Sequence, residues 1–249
     1  ISGGNATVDA VTIPRSSDAT VSFATGFVVN GGSSSVGTIN LGTSNSNGAM
    51  SIEGGDLSVS GVITIGNQVT GGRGGAMRVI NGGVFTSTEA GLGILLCRNP
   101  GTNANNVASA TFTGGTSTVE KFTLGFNSTV TAGSATITIN GGTLYLGSGG
   151  IVKNGAAGLV TNLNFCSGTC GAKAEWATAL PINLPTGGNI TFKTANAANE
   201  PFDITLGGVL SGAGGFTKTG SGELILAATN TFNGSVNLSA AQNSFLTTQ

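Results

Sequence analysis

Gly-Gly pairs that close short alternating stretches recur along the chain at Gly31-Gly32, Gly54-Gly55, Gly82-Gly83, Gly114-Gly115 and Gly141-Gly142, separated by 23, 28, 32 and 27 residues. A spacing this regular is the mark of a repeat architecture, and it limits the fold more than any other feature. The residues before the pairs align as well: "AMSIEGGDL", "AMRVINGGVF", "ATFTGGTS" and "ATITINGGTL" each carry a small residue, an apolar alternation and then the glycines. Each unit therefore reads strand, turn, strand.

A second set of strands lies between these units. In "GTINLG", "VITIG", "LGILL" and "FTLGF" the pairs Ile39 and Leu41, Ile63 and Ile65, Ile94 and Leu96, and Phe122 and Leu124 alternate along the chain. Period two places each pair on one face, pointing into a shared core. The intervening segments "TSNSNG", "NQVTGGRGG" and "RNPGTNANN" vary in length and are polar, as loops projecting from one edge would be. A unit of two or three short strands cannot bury its own apolar face, but stacked units bury all of them. The expected fold is thus an all-β, parallel β-solenoid with variable edge loops. At about 28 residues per coil the chain makes about nine coils, and at about 4.8 Å per coil the body is on the order of 40 Å long. Only "GAKAEWATAL" has a helical look, and Pro181 stops it.

Charged residues make up 8% of the chain, with nine basic and ten acidic side chains, so no field exists to attract nucleic acid or anionic lipid. No run reaches the eighteen or so apolar residues of a membrane helix. Ile1 opens directly into strand-like sequence, so the chain reads as a mature or excised segment. Cys166 and Cys170, in "CSGTC", lack a further Cys or any His to complete a zinc site; the spacing predicts a local disulfide and an oxidising, extracytoplasmic setting. Cys97 reads as a small apolar side chain.

Histidine is absent, which removes the usual base for a serine or cysteine nucleophile. Among the scattered carboxylates Glu53 and Asp56 lie close together, flanking a Gly-Gly corner, and solvated turn charges describe them better than an acid and base pair. Neither a calcium repeat nor a P-loop is present. No catalytic, cofactor or metal residue is therefore assigned, and no cofactor is expected. Trp176 reads as a packing residue and Tyr145, in "GTLYLG", as outward-facing.

The stretch "GAGGFTKTGSGELILAATNTFNG" differs from the rest. It resembles the autotransporter-associated β-strand repeat, with Gly214, Gly215, Gly220, Gly222 and Gly234 in place together with Thr217, Lys218, Leu224, Leu226, Asn230 and Thr231. The preceding segment, with Trp176, Leu180, Pro181, Thr191, Phe192, Ile204, Leu206, Leu210 and Gly212, is similar to what commonly comes before that repeat in large secreted bacterial surface proteins. The resemblance implies a secreted right-handed β-helix built as a scaffold or adhesive stalk, without catalytic residues. It also divides the chain into residues 1–160, with the irregular repeat, and 161–249, which continue the solenoid. After Leu238 the sequence departs from the family, running into "SAAQNSFLTTQ".

Solenoid ends carry backbone groups that demand partners. The expected function is that of an extracellular structural protein whose partners are copies of itself, stacked into a filament or sheath through residues 1 to 13 and 236 to 249. The alternatives are an adhesin that meets a host or matrix surface through loops near 43 to 48, 67 to 75 and 98 to 106, and, further off, a polysaccharide-active enzyme.

Overall fold

The computed structural model describes residues 6–8, 20–23, 26–43, 47–67, 74–98, 106–239 and 245–248. Among them there is no helix, and "GAKAEWATAL" forms the end of one strand and the whole of another. The described residues form a parallel β-solenoid of about six turns, wound around three faces.

Face one stacks β1 (Ala6–Val8), β3 (Gly26–Val29), β6 (Gly48–Ile52), β9 (Gly75–Val79), β12 (Val107–Phe112), the first parts of β14 (Ser134–Lys153) and β15 (Val160–Ala172), β17 (Ile182–Asn183) and β20 (Leu210–Ser211). Face two stacks β4 (Ser33–Val36), β7 (Asp56–Val59), β10 (Val84–Ser87), the first half of β13 (Thr116–Leu124), the middle of β14, the end of β15, β18 (Asn189–Lys193), β21 (Gly215–Thr219) and β23 (Val236–Leu238). Face three runs through β2 (Thr20–Phe23), β5 (Thr38–Thr43), β8 (Ile63–Asn67), β11 (Ile94–Leu96) and the ends of β13 and β14. There it stops. A separate four-stranded sheet takes over the face with β16 (Trp176–Thr178), β19 (Ile204–Leu206), β22 (Glu223–Leu226) and β24 (Phe245–Thr248). No ladder joins β14 to β16, whereas on faces one and two β15 carries the pairing without interruption past residue 160.

The alternation read from the sequence becomes vertical columns of side chains. Ile39, Ile63, Ile94, Phe122 and Ile151 occupy one register of face three, and Leu41, Ile65, Leu96 and Leu124 the next; all are buried. On face one the columns are Phe27, Met50, Met77, Ala110, Ile137 and Leu163, and Val29, Ile52, Val79, Phe112, Ile139 and Phe165. Toward the C-terminal end aromatic rings fill the interior, with centroids 6.0 Å apart for Phe165 and Phe192, 5.5 Å for Phe192 and Phe216, and 5.5 Å for Phe216 and Phe232. Stacking of this kind gives each coil the apolar cover it lacks alone.

The Gly-Gly pairs sit at the corner between faces one and two. Gly115 has φ +66°, and a Cβ there would lie 2.0 Å from the Gly83 carbonyl oxygen of the coil beneath. The corner therefore needs both the left-handed backbone and the missing side chain. The corner after face three has the same conformation at matching positions, with φ +76° at Gly42 and Gly66 and +78° at Gly125; the fourth occupant is Cys97, at +62°.

Candidate functional site

The position most suited to recognition is the C-terminal end of face two. Residues alternate inward along β21, so Phe216 and Lys218 both point into the interior and both are 0% exposed. Their register partners one coil later, Val236 and Leu238, are 40% and 50% exposed. The inward column thus comes out at the surface, with Phe232 packed beside it on Phe216. β23 is held to β21 along one edge, supplemented by Phe216 N donating to Ser235 O (3.1 Å) and Ser239 N donating to Lys218 O (3.0 Å). No described strand lies along its other edge. The same is true of β24 beyond β22 and, at the opposite end, of β1 before β3. Of the predicted contact segments, residues 1–5, 9–13, 240–244 and 249 lie outside the described residues.

Lys218 is the surprise at this end. Sequence reading treats it only as a match to the repeat, yet it occupies a core position between Phe192 and Leu238. Its Nζ donates to the carbonyls of Gly220 and Gly222, each at 2.6 Å. Burial lowers its pKa from the ordinary lysine value, opposed by the nearby Asp203 and Glu223. The alternation of Phe216 with Lys218 in "GFTKT" was the available signal. The ammonium ties down the corner that leads into β22, one layer beneath the open end.

The cysteines correct an expectation. Cys97, Cys166 and Cys170 are all free thiols, so the Cys166–Cys170 disulfide is not formed. Cys170 stacks in a core column between Leu144 and Phe192, while Cys166 lies half-buried at the irregular corner of β15, where register slips between Ile139 and Asn140. Burial raises both thiols, and it pushes Cys97 up to about 12, which leaves that thiol protonated and inert. Cys97 Sγ donates to the carbonyls of Asn106 and Ser134, each at 3.3 Å.

Glu53 and Asp56 remain apart in role: Glu53 accepts from Ser51 Oγ (2.9 Å) and Asp56 from Ser33 Oγ (3.3 Å). No group of three or more His, Cys, Asp or Glu side chains converges among the described residues. Trp176 is buried in the interior, as its packing role requires, and Tyr145 faces outward on face two. The loops near 43 to 48, 67 to 75 and 98 to 106 lie mostly outside the described residues; the strands that flank each of them belong to face three before it and to face one after it. Among the described residues no helix is long and apolar enough to cross a membrane.

No protein-family model, curated protein or solved structure matches this chain. What the end of face two offers is therefore read from its own chemistry: an edge of backbone donors and acceptors beside an emergent apolar column, suited to continued β-pairing.

Proposed function

We propose that the chain is a structural protein of the bacterial cell exterior, whose copies stack end to end into a filament or sheath by extending the parallel ladders across each junction. The observation that carries this reading is the exposure of Val236 and Leu238 at positions whose counterparts one coil earlier are buried. A second copy supplies what that surface lacks: strands in the same direction and an apolar layer to cover the column. A head-to-tail contact of this type does not close on itself, so it grows into a fibre. The formal net charge of −1 leaves little repulsion between copies. The reading includes about nine coils, supported by the succession from β1 to β20 along face one, and a right-handed winding, supported by the likeness of residues 212–234 to the autotransporter-associated repeat, as is secretion. It assigns no catalysis.

The test is sedimentation and electron microscopy of the full chain beside a double variant, Val236→Asp with Leu238→Asp. The parent is expected to form rods that lengthen with concentration. The variant is expected to keep the same circular dichroism and remain short. A parent that stays monomeric at high concentration, with both ends closed by its own residues, overturns the proposal. The adhesin reading has one observation in its favour: the strand ends that flank the three variable loops all lie at the passage from face three to face one. Loss of surface binding on trimming those loops, with fibres intact, would establish it.

A further inference from the structure

Face two carries an aromatic side chain that packing does not call for. Tyr145 shares its outward register with Thr118, Gly171 and Lys193 on neighbouring strands, while its chain neighbours Leu144 and Leu146 fill the core. A Cβ at Gly171 would lie 2.6 Å from two carbons of the tyrosine ring, so it is the glycine that lets the ring lie along the face. Lys193 closes the far side, with Nζ 3.4 Å from the phenol oxygen and 5.6 Å from the ring centroid.

An adjacent pair repeats the arrangement. The Glu120 carboxylate lies over Gly147, where a Cβ would meet its Oε1 at 2.4 Å, and accepts from Lys173 Nζ at 2.7 Å. The loop after β18 overhangs the same spot. Asn196 Nδ2 donates to Glu200 Oε2 (2.6 Å), Glu200 N donates to Asn196 Oδ1 (3.0 Å), and Ala195 bridges Pro201. Between these parts lies a pocket of about 260 Å³ lined by Thr118, Tyr145, Lys173, Asn196, Ala197 and Ala198.

We infer that this pocket binds one neutral sugar ring of a glycan. Its volume falls below the roughly 300 Å³ at which pockets for drug-sized ligands begin, so it takes one small ring. Its charges balance, Lys173 and Lys193 against Glu120 and Glu200, and each already has a partner within the site: Lys173 the Glu120 carboxylate, Lys193 the phenol oxygen, and Glu200 the Asn196 amide. A charged ligand gains little from such a set. Sugar hydroxyls both donate and accept, and they meet donors on Lys173, the Asn196 amide and the Thr118 hydroxyl, the last two able to donate and to accept. The C–H face of a pyranose meets the tyrosine ring and the methyls of Ala197 and Ala198. The side chains are held by one another before any ligand arrives, which reduces the entropy lost on binding.

The test is saturation-transfer NMR on the full chain, which reads signals of the small ligand whatever the size of the protein assembly. The probes are maltohexaose, cellohexaose and mannohexaose, with hexagalacturonate as the charged comparison. At least one neutral probe is expected to receive saturation on its ring C–H protons, and Tyr145→Ala is expected to weaken its binding by about tenfold. Ala197→Trp, placed on the exposed loop away from the core, is expected to abolish the transfer by filling the pocket. Unchanged circular dichroism shows that either variant is folded. Transfer to none of the neutral probes, transfer to hexagalacturonate alone, or transfer that survives Ala197→Trp each overturns the assignment.

Discussion

Cys97 holds a backbone conformation that its counterparts Gly42, Gly66 and Gly125 adopt as glycines. A non-glycine residue there carries about 1 to 2 kcal/mol of strain, offset in part by a weak thiol hydrogen bond whose single proton is shared between two carbonyls. Cys97→Gly is therefore expected to melt at or above the parent temperature. Cys97→Val, β-branched and without a donor, is expected to lose about 2 to 3 kcal/mol and melt several degrees lower. Thermal denaturation of the two variants side by side decides the matter, since equal losses would mean that the backbone angle is not what limits this corner. Glu89 shows how one side chain can organise a turn. Its carboxylate accepts from the N–H groups of Gly91 and Leu92, both at 2.8 Å, and from that of Gly93. Partial burial acts to raise its pKa, but these three bonds and the Lys121 charge outweigh it, so the group sits below its ordinary 4.5. A depressed carboxylate stabilises the fold above its unfolded pKa, and that contribution fades as the pH falls through the folded value. Denaturation of Glu89→Gln is accordingly expected to show a deficit at neutral pH that narrows below pH 4.5.

At the scale of the strand and its turns, the Gly-Gly pairs are not uniform. Gly115 combines a positive φ with contact against Gly83, whereas Gly82, also in a pair, has open space where a side chain would go. Gly115→Ala must push two coils apart along the ladders that join β13 to β10 and β14, and about 2 kcal/mol or more of lost stability is expected. Gly82→Ala is expected within about 0.5 kcal/mol of the parent. Chemical denaturation that finds the two alike would remove the conformational reading of the pairs. This contrast also marks how far the sequence was legible. The period, the strands and the inward pairs such as Ile63 and Ile65 were plain because alternation and spacing are local properties of the chain. Which glycine of a pair bears the constraint depends on the coil below, some 28 residues away, as does the vacancy at Gly171 that admits the Tyr145 ring. The Cys166–Cys170 expectation failed because "CSGTC" does not close a tight loop but runs within β15 around the corner from face one to face two, where the register slips, leaving Cys166 half-buried and turning Cys170 into the core. Lys218 was passed over because a charged residue is ordinarily read as surface, while its carbonyl partners lie around a corner.

For the molecule as a whole, the three faces differ in continuity. Faces one and two carry their ladders from one end to the other, and the emergent column at β23 follows from that regularity, since the interior of one coil is only as complete as the coil above it. The outward sugar pocket and the end surface lie in different places and use different chemistry, so the proposed filament would present the first along its flank while consuming the second at every joint. Face three breaks between β14 and β16, where the Ala177 carbonyl comes up against the bare Gly150 Cα without a ladder forming. A rod stitched on two sides and left unstitched on the third has a preferred direction of bending. In the proposed fibre that compliance would recur once per subunit, so the thread would flex at regular intervals along its length.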